Sequence, residues 1–499
     1  MKKFLIIVAI IFATTQAHQF NIYSMNGRFL GSINGTLDKF IILEFTKKYH
    51  SSILVKKGTS SKHVPQNNIS LFHLNQPHKS IKASSDSLDN NFWIETEKNE
   101  TVKFCLDRSI LAWETSLNAK IYNDSCLIFQ APTLIGTDSI KIYFPEISKE
   151  KKINLAIGMK YLNLKNKEIL LGFNVENKFT PADIQPRNED PERIVSVTGT
   201  FLIDKYPVTN CEFTQLMWDS IPTKISYNNK QIKDDQEDWI HRKKNSLRNE
   251  NCAVHDSAAN RIFLYQAIKY ANARSIREGL KPYYVFSETS TYGTKILSKG
   301  HYNIPYYSFS SQENEYIHVS VDESSDGYRL PYYDEWMMLA RGGDKKNKAP
   351  WGDSSASIEE VAKYARFGTT KSLKSEPVGQ LLPNGYGLYD MFGLVEEHVL
   401  FNERNPFNGL YGSASSLKGG NNRIVLNNPE KKNSSSGATL TIGGVTYKFD
   451  HEESTDHDNW KKITYGYNNP NYSGTIQAGF RLIRNIGNNA KWKEIKTDD

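Results

Sequence analysis

The sequence predicts an α+β protein, with a β-rich, sandwich-like N-terminal domain followed by a larger domain of short helices and short strands. Three observations carry this. Up to about residue 180, apolar and alternating runs are separated by Asn-, Ser- and Lys-rich turns, the pattern of half-buried strands. A polar segment with three prolines, Thr180 to Pro191, then interrupts the pattern. Beyond it, helix start and stop signals appear among further strands.

The chain has 499 residues, room for two or three domains. Hydrophobic residues make up 38% and charged residues 23%, the balance of a folded rather than a disordered chain. The net charge of +7 is small for this length, and no basic run is interleaved with aromatics. Composition therefore argues against a nucleic-acid groove.

Residues 1–17 read as a secretory signal peptide: Met1-Lys2-Lys3, the apolar run Phe4 to Ala13, and a small-residue cleavage site after Ala17. The run is shorter than the ~20 residues that span a bilayer. No later segment is apolar enough to be transmembrane, so the expected location is secreted or cell surface.

Residues 18–180 form the predicted β-rich domain. Asn26-Gly27 marks a hairpin between Phe20–Tyr23 and Phe29–Ile33. Further strands are expected at Phe40–Phe45, Ile53–Val55, Ile140–Phe144 and Ile169–Val175. Trp93 and Trp113 read as core residues or as sugar-stacking platforms. The four cysteines, Cys105, Cys126, Cys211 and Cys252, suit disulfides in an exported chain. Three pairings are open, of which the within-domain one is the simplest. Zinc is the rival reading, but there is no Cys-x-x-Cys spacing and no paired histidine.

Residues 181–193 are the expected linker and 194–485 the second domain, with 486–499 as a tail. A strand is expected at Ile194–Ile203, then a capping box at Thr209-Asn-Cys-Glu212 opening a helix through Trp218. Helices follow at Ala258–Glu278, stopped by Gly279, and at Asp334–Arg341, closed by Gly342-Gly343. Ser357-x-x-Glu360 opens a fourth. The stretch Leu382 to Leu400 combines turn-forming Asn384-Gly385 and Gly387, apolar anchors, and the carboxylates Asp390 and Glu397. It reads as a hard-cation site or a structural knot.

The ordered motifs resemble the formylglycine-generating enzyme family, also called sulfatase-modifying factor domains, whose fold is similar to a C-type lectin. They are Asp204-Lys-Tyr-Pro-Val-Thr-Asn210, Tyr328-Arg-Leu-Pro-Tyr-Tyr-Asp-Glu-Trp336, Ala340-Arg-Gly-Gly343, Trp351-Gly352, Pro377-Val-Gly379, Pro383 to Glu397, Lys418-Gly-Gly420 and Gly479-Phe-Arg-Leu482. The extra helix ending at Leu280 is similar to that of expanded, secreted bacterial paralogues.

The resemblance implies copper-dependent oxidation of a substrate cysteine, but that chemistry needs two cysteines soon after the Lys418-Gly-Gly position. None follows up to Asp499, and Asn or Ser cannot replace a thiolate as copper(I) ligand. The iron sites of the related sulfoxide synthases need a His-x-x-x-His-x-Glu signature that is likewise missing. The resemblance also implies structural calcium, through Asp390, Gly393, Val395 and Glu397. The other reading of these residues is a metal-free turn with Glu397 in an ion pair. The family's Asn and two Trp at this turn are here Leu394, Glu396 and His398.

Residues 421–476 form an insertion rich in Asn, Ser, Gly and Lys, with a hairpin expected at Thr439–Phe449. Tyr447, Trp460, Tyr465, Tyr467 and Tyr472 make it a candidate ligand-binding loop, a solvated surface loop being the plainer reading. Asp450 to Asp458 is acidic and His-containing, but its spacing fits neither zinc nor an EF-hand. Glu396, Glu397 and His398 suit acid–base work or a hydrogen-bonded structural histidine. The expectation is a non-catalytic binding or adhesion protein for a glycan or a cell-surface or extracellular protein. The alternative is a divergent formylglycine-type or other metal-dependent oxidase.

Overall fold

The computed structural model describes residues 18–24, 29–35, 53–57, 79–171, 193–400, 415–418, 438–442, 445–449 and 478–495. Shorter gaps at 89–91, 146, 222, 225–238, 245–251, 253–255, 291–295, 299–300, 306–315, 344–348, 352–357 and 367–375 are excepted. The chain divides into two compact units, residues 1–133 with 137–157, and residues 134–136 with 158–499.

In the first unit β1 (His18–Ser24) pairs with β2 (Phe29–Gly35) and β3 (Ile53–Lys57). Strands β4 (Lys79–Ala83), β6 (Thr101–Leu106), β9 (Cys126–Gln130) and β8 (Ala119–Asn123) form a four-stranded sheet in that order. A second sheet runs β5 (Trp93–Thr96), β11 (Ile147–Ile157), β10 (Gly136–Phe144) and β7 (Ala112–Glu114). One core takes Phe104, Leu127 and Phe129 from the first sheet and Ile140, Ile142, Ile153 and Leu155 from the second. Alternation along β10 explains this, since residues two apart share a face. Trp113 belongs to this core, 4% exposed. Cys105 and Cys126 are direct cross-strand partners and are bridged. The strand expected at Phe40–Phe45 lies outside the described residues.

The second unit starts earlier than the polar linker suggests. Strand β12 (Met159–Leu171) pairs along its length with β13 (Arg193–Asp204), so the division falls at Ile157/Gly158. Residues 486–499 are not merely a tail, because β26 (Lys491–Ile495) lies antiparallel on β13, beyond β25 (Ile483–Asn485). Helix α1 (Asn210–Leu216) opens on the expected box: Glu212 N–H donates to Thr209 Oγ1 at 3.3 Å, and Thr209 N–H donates to Glu212 Oε2 at 3.1 Å. Cys211 is bridged to Cys252.

Helix α2 (Leu264–Arg277) begins later than the periodicity suggests. Ala258 instead bridges Thr209, Ala259 N–H donates to Val208 O, and Arg261 takes a left-handed φ of 55°. Strands β14 (Tyr284–Ser290), β15 (Ile296–Ser298), β16 (His301–Pro305) and β17 (Tyr316–Val321) form a sheet ordered β14-β17-β16-β15. Helix α3 (Tyr333–Arg341) ends on Gly342 at φ 71°, and α4 (Ile358–Val361) is one turn. Among the described residues no helix is long and apolar enough to cross a membrane.

The remaining strands frame the segment at 382–400. They are β18 (Ala365–Arg366), β19 (Phe392–Gly393), β20 (Glu396–Leu400), β21 (Ser415–Lys418), β24 (Ala478–Gly479) and the hairpin β22 (Ala438–Ile442) with β23 (Val445–Phe449). The unit's main core gathers Val197, Phe201 and Ile203 of β13, Trp336 and Leu339 of α3, and Leu388, Met391 and Phe392.

A buried ion pair ties α2 to β13. Arg274 Nη1 donates to Asp204 Oδ1 at 2.8 Å and Oδ2 at 2.9 Å, both side chains being 0% exposed. Leu482 N–H also donates to Asp204 Oδ2 at 3.0 Å, and the guanidinium lies 4.0 Å from the Tyr328 ring centre. Burial opposes the charge on Arg274, but Asp204, with Tyr328 and Glu278, holds its pKa well above the ordinary value. Arg274→Met should therefore cost roughly 3–5 kcal/mol, because it leaves a buried carboxylate uncompensated. Urea unfolding measures this, and Asp204→Asn added to Arg274→Met should recover part of the loss. A single-variant loss below ~1 kcal/mol would contradict the assignment.

Candidate functional site

The segment at 382–400 is held by its own turn and by α3. Asn384 Oδ1 accepts from Tyr386 N–H at 3.0 Å and Leu388 N–H at 3.1 Å, closing the turn. Asn384 Nδ2 donates to Leu339 O at 2.6 Å and Ala340 O at 3.2 Å, carbonyls in the last turn of α3. Gly393 has φ 75°, and a Cβ there would sit 1.9 Å from Arg366 O. Only glycine fits, since the parallel β18–β19 bridge brings two backbones together.

Strand β20 then points alternate side chains to opposite sides. Glu397 is 1% exposed and meets Arg481, which is fully buried. Arg481 Nε donates to Glu397 Oε1 at 2.9 Å and Oε2 at 2.8 Å, and Nη2 donates to Oε1 at 2.7 Å. Trp336 Nε1 donates to Oε2 at 2.8 Å. The other guanidinium hydrogens reach Tyr389 O at 2.8 Å, Asp204 O at 3.2 Å and Lys205 O at 3.2 Å. The fork of donors on the guanidinium is thus fully used.

This arrangement does not suit calcium at Glu397. Both Glu397 oxygens are committed to a guanidinium and an indole, and a second cation there would be repelled by Arg481. Asp390 accepts from Gly379 N–H at 2.6 Å through Oδ2. Burial raises the Asp390 pKa, with the Gly379 N–H and Arg481 pulling the other way. Gly393 serves the close approach to Arg366, and Val395 packs with Tyr206, Ala258, Val378 and Leu394. The physical reason for the difference is charge, because an arginine supplies the positive partner from within the fold.

All four cysteines are in bridges, Cys105 with Cys126 and Cys211 with Cys252, and none is free. Of the expected ligand-binding loop, the β22–β23 hairpin is described, with Tyr447 on β23 opposite Leu440. The Tyr447 side chain and all of Trp460, Tyr465, Tyr467 and Tyr472 lie outside the described residues, as do Asp450 to Asp458.

His398 is buried at 3% exposure, its Nε2 2.7 Å from Ile262 O. A carbonyl only accepts, so Nε2 carries the hydrogen. Burial lowers the His398 pKa to about 4. Residue spacing brought out Glu397 and His398, but it missed Arg481 as the partner of Glu397 and the pair of Asp204 with Arg274. The arginine in Gly479-Phe-Arg481 was the available signal.

Two outcomes follow. Calcium and chelator should give the same thermal midpoint; a rise with calcium would restore that cation. His398 gives a pH dependence. Its folded pKa of about 4 lies below the ordinary 6.5, so the unfolded chain binds the proton more readily. Its contribution is complete above 6.5 and lost as pH falls from 6.5 to about 4. The loss is up to about 3 kcal/mol. In chelator, His398→Gln should flatten unfolding free energy across that window relative to the parent; an unchanged slope would contradict it.

Comparison with known proteins adds the following. Residues 169–486 match the family described as sulfatase-modifying factor enzyme 1-like domain. The chain is 34% identical over 153 residues to the chaperone protein LppX of Paenibacillus barcinonensis, covering 28% of this chain and 49% of that protein. It is 31% identical over 100 residues to the formylglycine-generating enzyme of Thermomonospora curvata, covering 16% of this chain and 31% of that enzyme. The matches thus span about half and about a third of those relatives' lengths. Among solved structures, Treponema denticola variable protein 1 aligns at 18% identity with a TM-score of 0.35, over 68% of this chain and 96% of that one.

Proposed function

The chain belongs to the sulfatase-modifying factor enzyme 1-like family through residues 169–486, and from that premise we propose that it is an exported, non-catalytic binding protein. Its variable loops are presented on a C-type-lectin-like form of the family scaffold. The observation that carries this reading is the state of the cysteines: each of the four is in a bridge and none follows Lys418-Gly-Gly420. Oxidation of a substrate cysteine by bound copper needs thiolate ligands, and a disulfide offers none. The same bridges support export, since disulfides persist in oxidising compartments.

Between a glycan and an exported protein as ligand, the protein is the better reading. The relative named as a chaperone is matched over 153 residues at 34% identity, and a chaperone acts on protein. The aromatic residues Trp460, Tyr465, Tyr467 and Tyr472 suit protein recognition, because rings supply contact area at low entropy cost.

The test is oxygen uptake by the purified chain with copper and a cysteine-containing sulfatase peptide. No turnover above the protein-free rate is expected. Clear, enzyme-dependent formation of formylglycine would overturn the proposal.

A further inference from the structure

The sheet β4-β6-β9-β8 turns one side to the core of the first unit and the other outward. Val102, Phe104, Leu127 and Phe129 lie in that core, so Lys103 and Ile128, one residue along, point outward. Ile81 and Ile121 also pack against the core, which places Lys82 and Lys120 on the outer side. The four strands contain four lysines and no Asp or Glu. Lys79 donates to Glu95 O at 2.5 Å, whereas Lys82, Lys103 and Lys120 have no ion pair among the described residues.

Register sets the spacing of these three. Ile128 pairs with Lys103 on one side and Lys120 on the other, so the two lysines stand about 10 Å apart. Lys82 pairs with Cys105 and is the diagonal neighbour of Lys103, at about 8 Å. Both separations are close to a Debye length in physiological salt, so the three charges act together on an approaching anion. The Cys105–Cys126 bridge lies in the same face and holds β6 to β9. Tyr122 is 59% exposed, with Lys103 Nζ 3.8 Å from its ring centre. Ile128 is only 4% exposed, as where lysine stems cover an apolar side chain and carry their ammonium groups outward.

We propose that this face is a docking surface for an anionic polysaccharide, one whose sugars carry sulfate or carboxylate groups. No carboxylate of the sheet neutralises the three lysines, so the complementary charge comes from outside. A polymer with acid groups at regular intervals meets a flat array of cations at several points at once, and each contact strengthens the others. An acidic peptide is the poorer fit, because peptide recognition uses a sheet edge, a groove or side-chain pockets, and this is the open face of a sheet. The exposed Tyr122 ring adds a flat apolar surface of the kind a sugar lies against. The face belongs to the first unit, so the proposal is independent of recognition by the loops of the second.

The full chain is titrated by calorimetry with heparin and with polygalacturonate, with dextran as the uncharged glycan and poly-glutamate as the acidic polypeptide. Saturable binding to heparin or polygalacturonate, weakening as salt rises, is expected, with none to dextran. Lys82→Gln, Lys103→Gln and Lys120→Gln combined should weaken it roughly 10-fold or more, and Tyr122→Ala alone roughly 3-fold. Lys165→Gln, Lys167→Gln and Lys493→Gln remove the same charge from exposed positions of the second unit and should change it by less than about 2-fold. Should the first triple variant fail to fold, acetylation of the parent read by mass spectrometry is the second measurement, and bound heparin should protect Lys82, Lys103 and Lys120. No binding to either anionic glycan, equal losses in the two triple variants, poly-glutamate bound as tightly, or lysines left unprotected would each overturn the proposal.

Discussion

The Arg481–Glu397 pair is the interaction on which the second unit depends. One guanidinium reaches the carboxylate of β20, the carbonyls of Asp204 and Lys205 at the end of β13, and the carbonyl of Tyr389 in the turn before β20. Trp336 adds α3 to the same carboxylate. Four parts of the chain, distant in sequence, are therefore registered against one charge pair. A buried pair of this kind is tolerable only because every donor is used; removing one partner leaves a charge that nothing nearby can solvate.

The neighbouring Asp204–Arg274 pair extends the same logic to α2. Asp204 gives its carbonyl to Arg481 and its carboxylate to Arg274, so one residue serves both arginines. The core around Trp336, Leu388 and Phe392 then packs against a polar centre already fixed in geometry. The second unit closes around internal cations, Arg274 and Arg481, and the cysteines are all in bridges.

Short-range features were legible in the sequence. The Thr209–Glu212 capping box, the Gly342 stop and the β22–β23 hairpin each depend on residues within a few positions of one another. Long-range features were not. The periodicity of α2 runs back to Ala258, yet Ala258 bridges Thr209, Ala259 N–H donates to Val208 O, and these residues cannot join the helix. Strand β26 reads as a charged tail because Lys491, Lys493 and Glu494 alternate with few apolar residues, and only its register on β13 makes it a strand. At the site, Glu397 was recognisable as a buried carboxylate. Its partner lies 84 residues away, beyond the reach of any spacing argument, and a family resemblance suggested a metal in its place.

A double-mutant cycle on Arg481 and Glu397 measures how far the second unit depends on this pair. Unfolding free energies of the parent, Arg481→Met, Glu397→Gln and the double variant would be measured in chelator. Large losses are expected in both single variants, with a coupling of about 2–3 kcal/mol, the double variant losing much less than the sum. Additive losses, with coupling within about 0.5 kcal/mol, would show that the two residues do not act as a pair and would contradict this dependence.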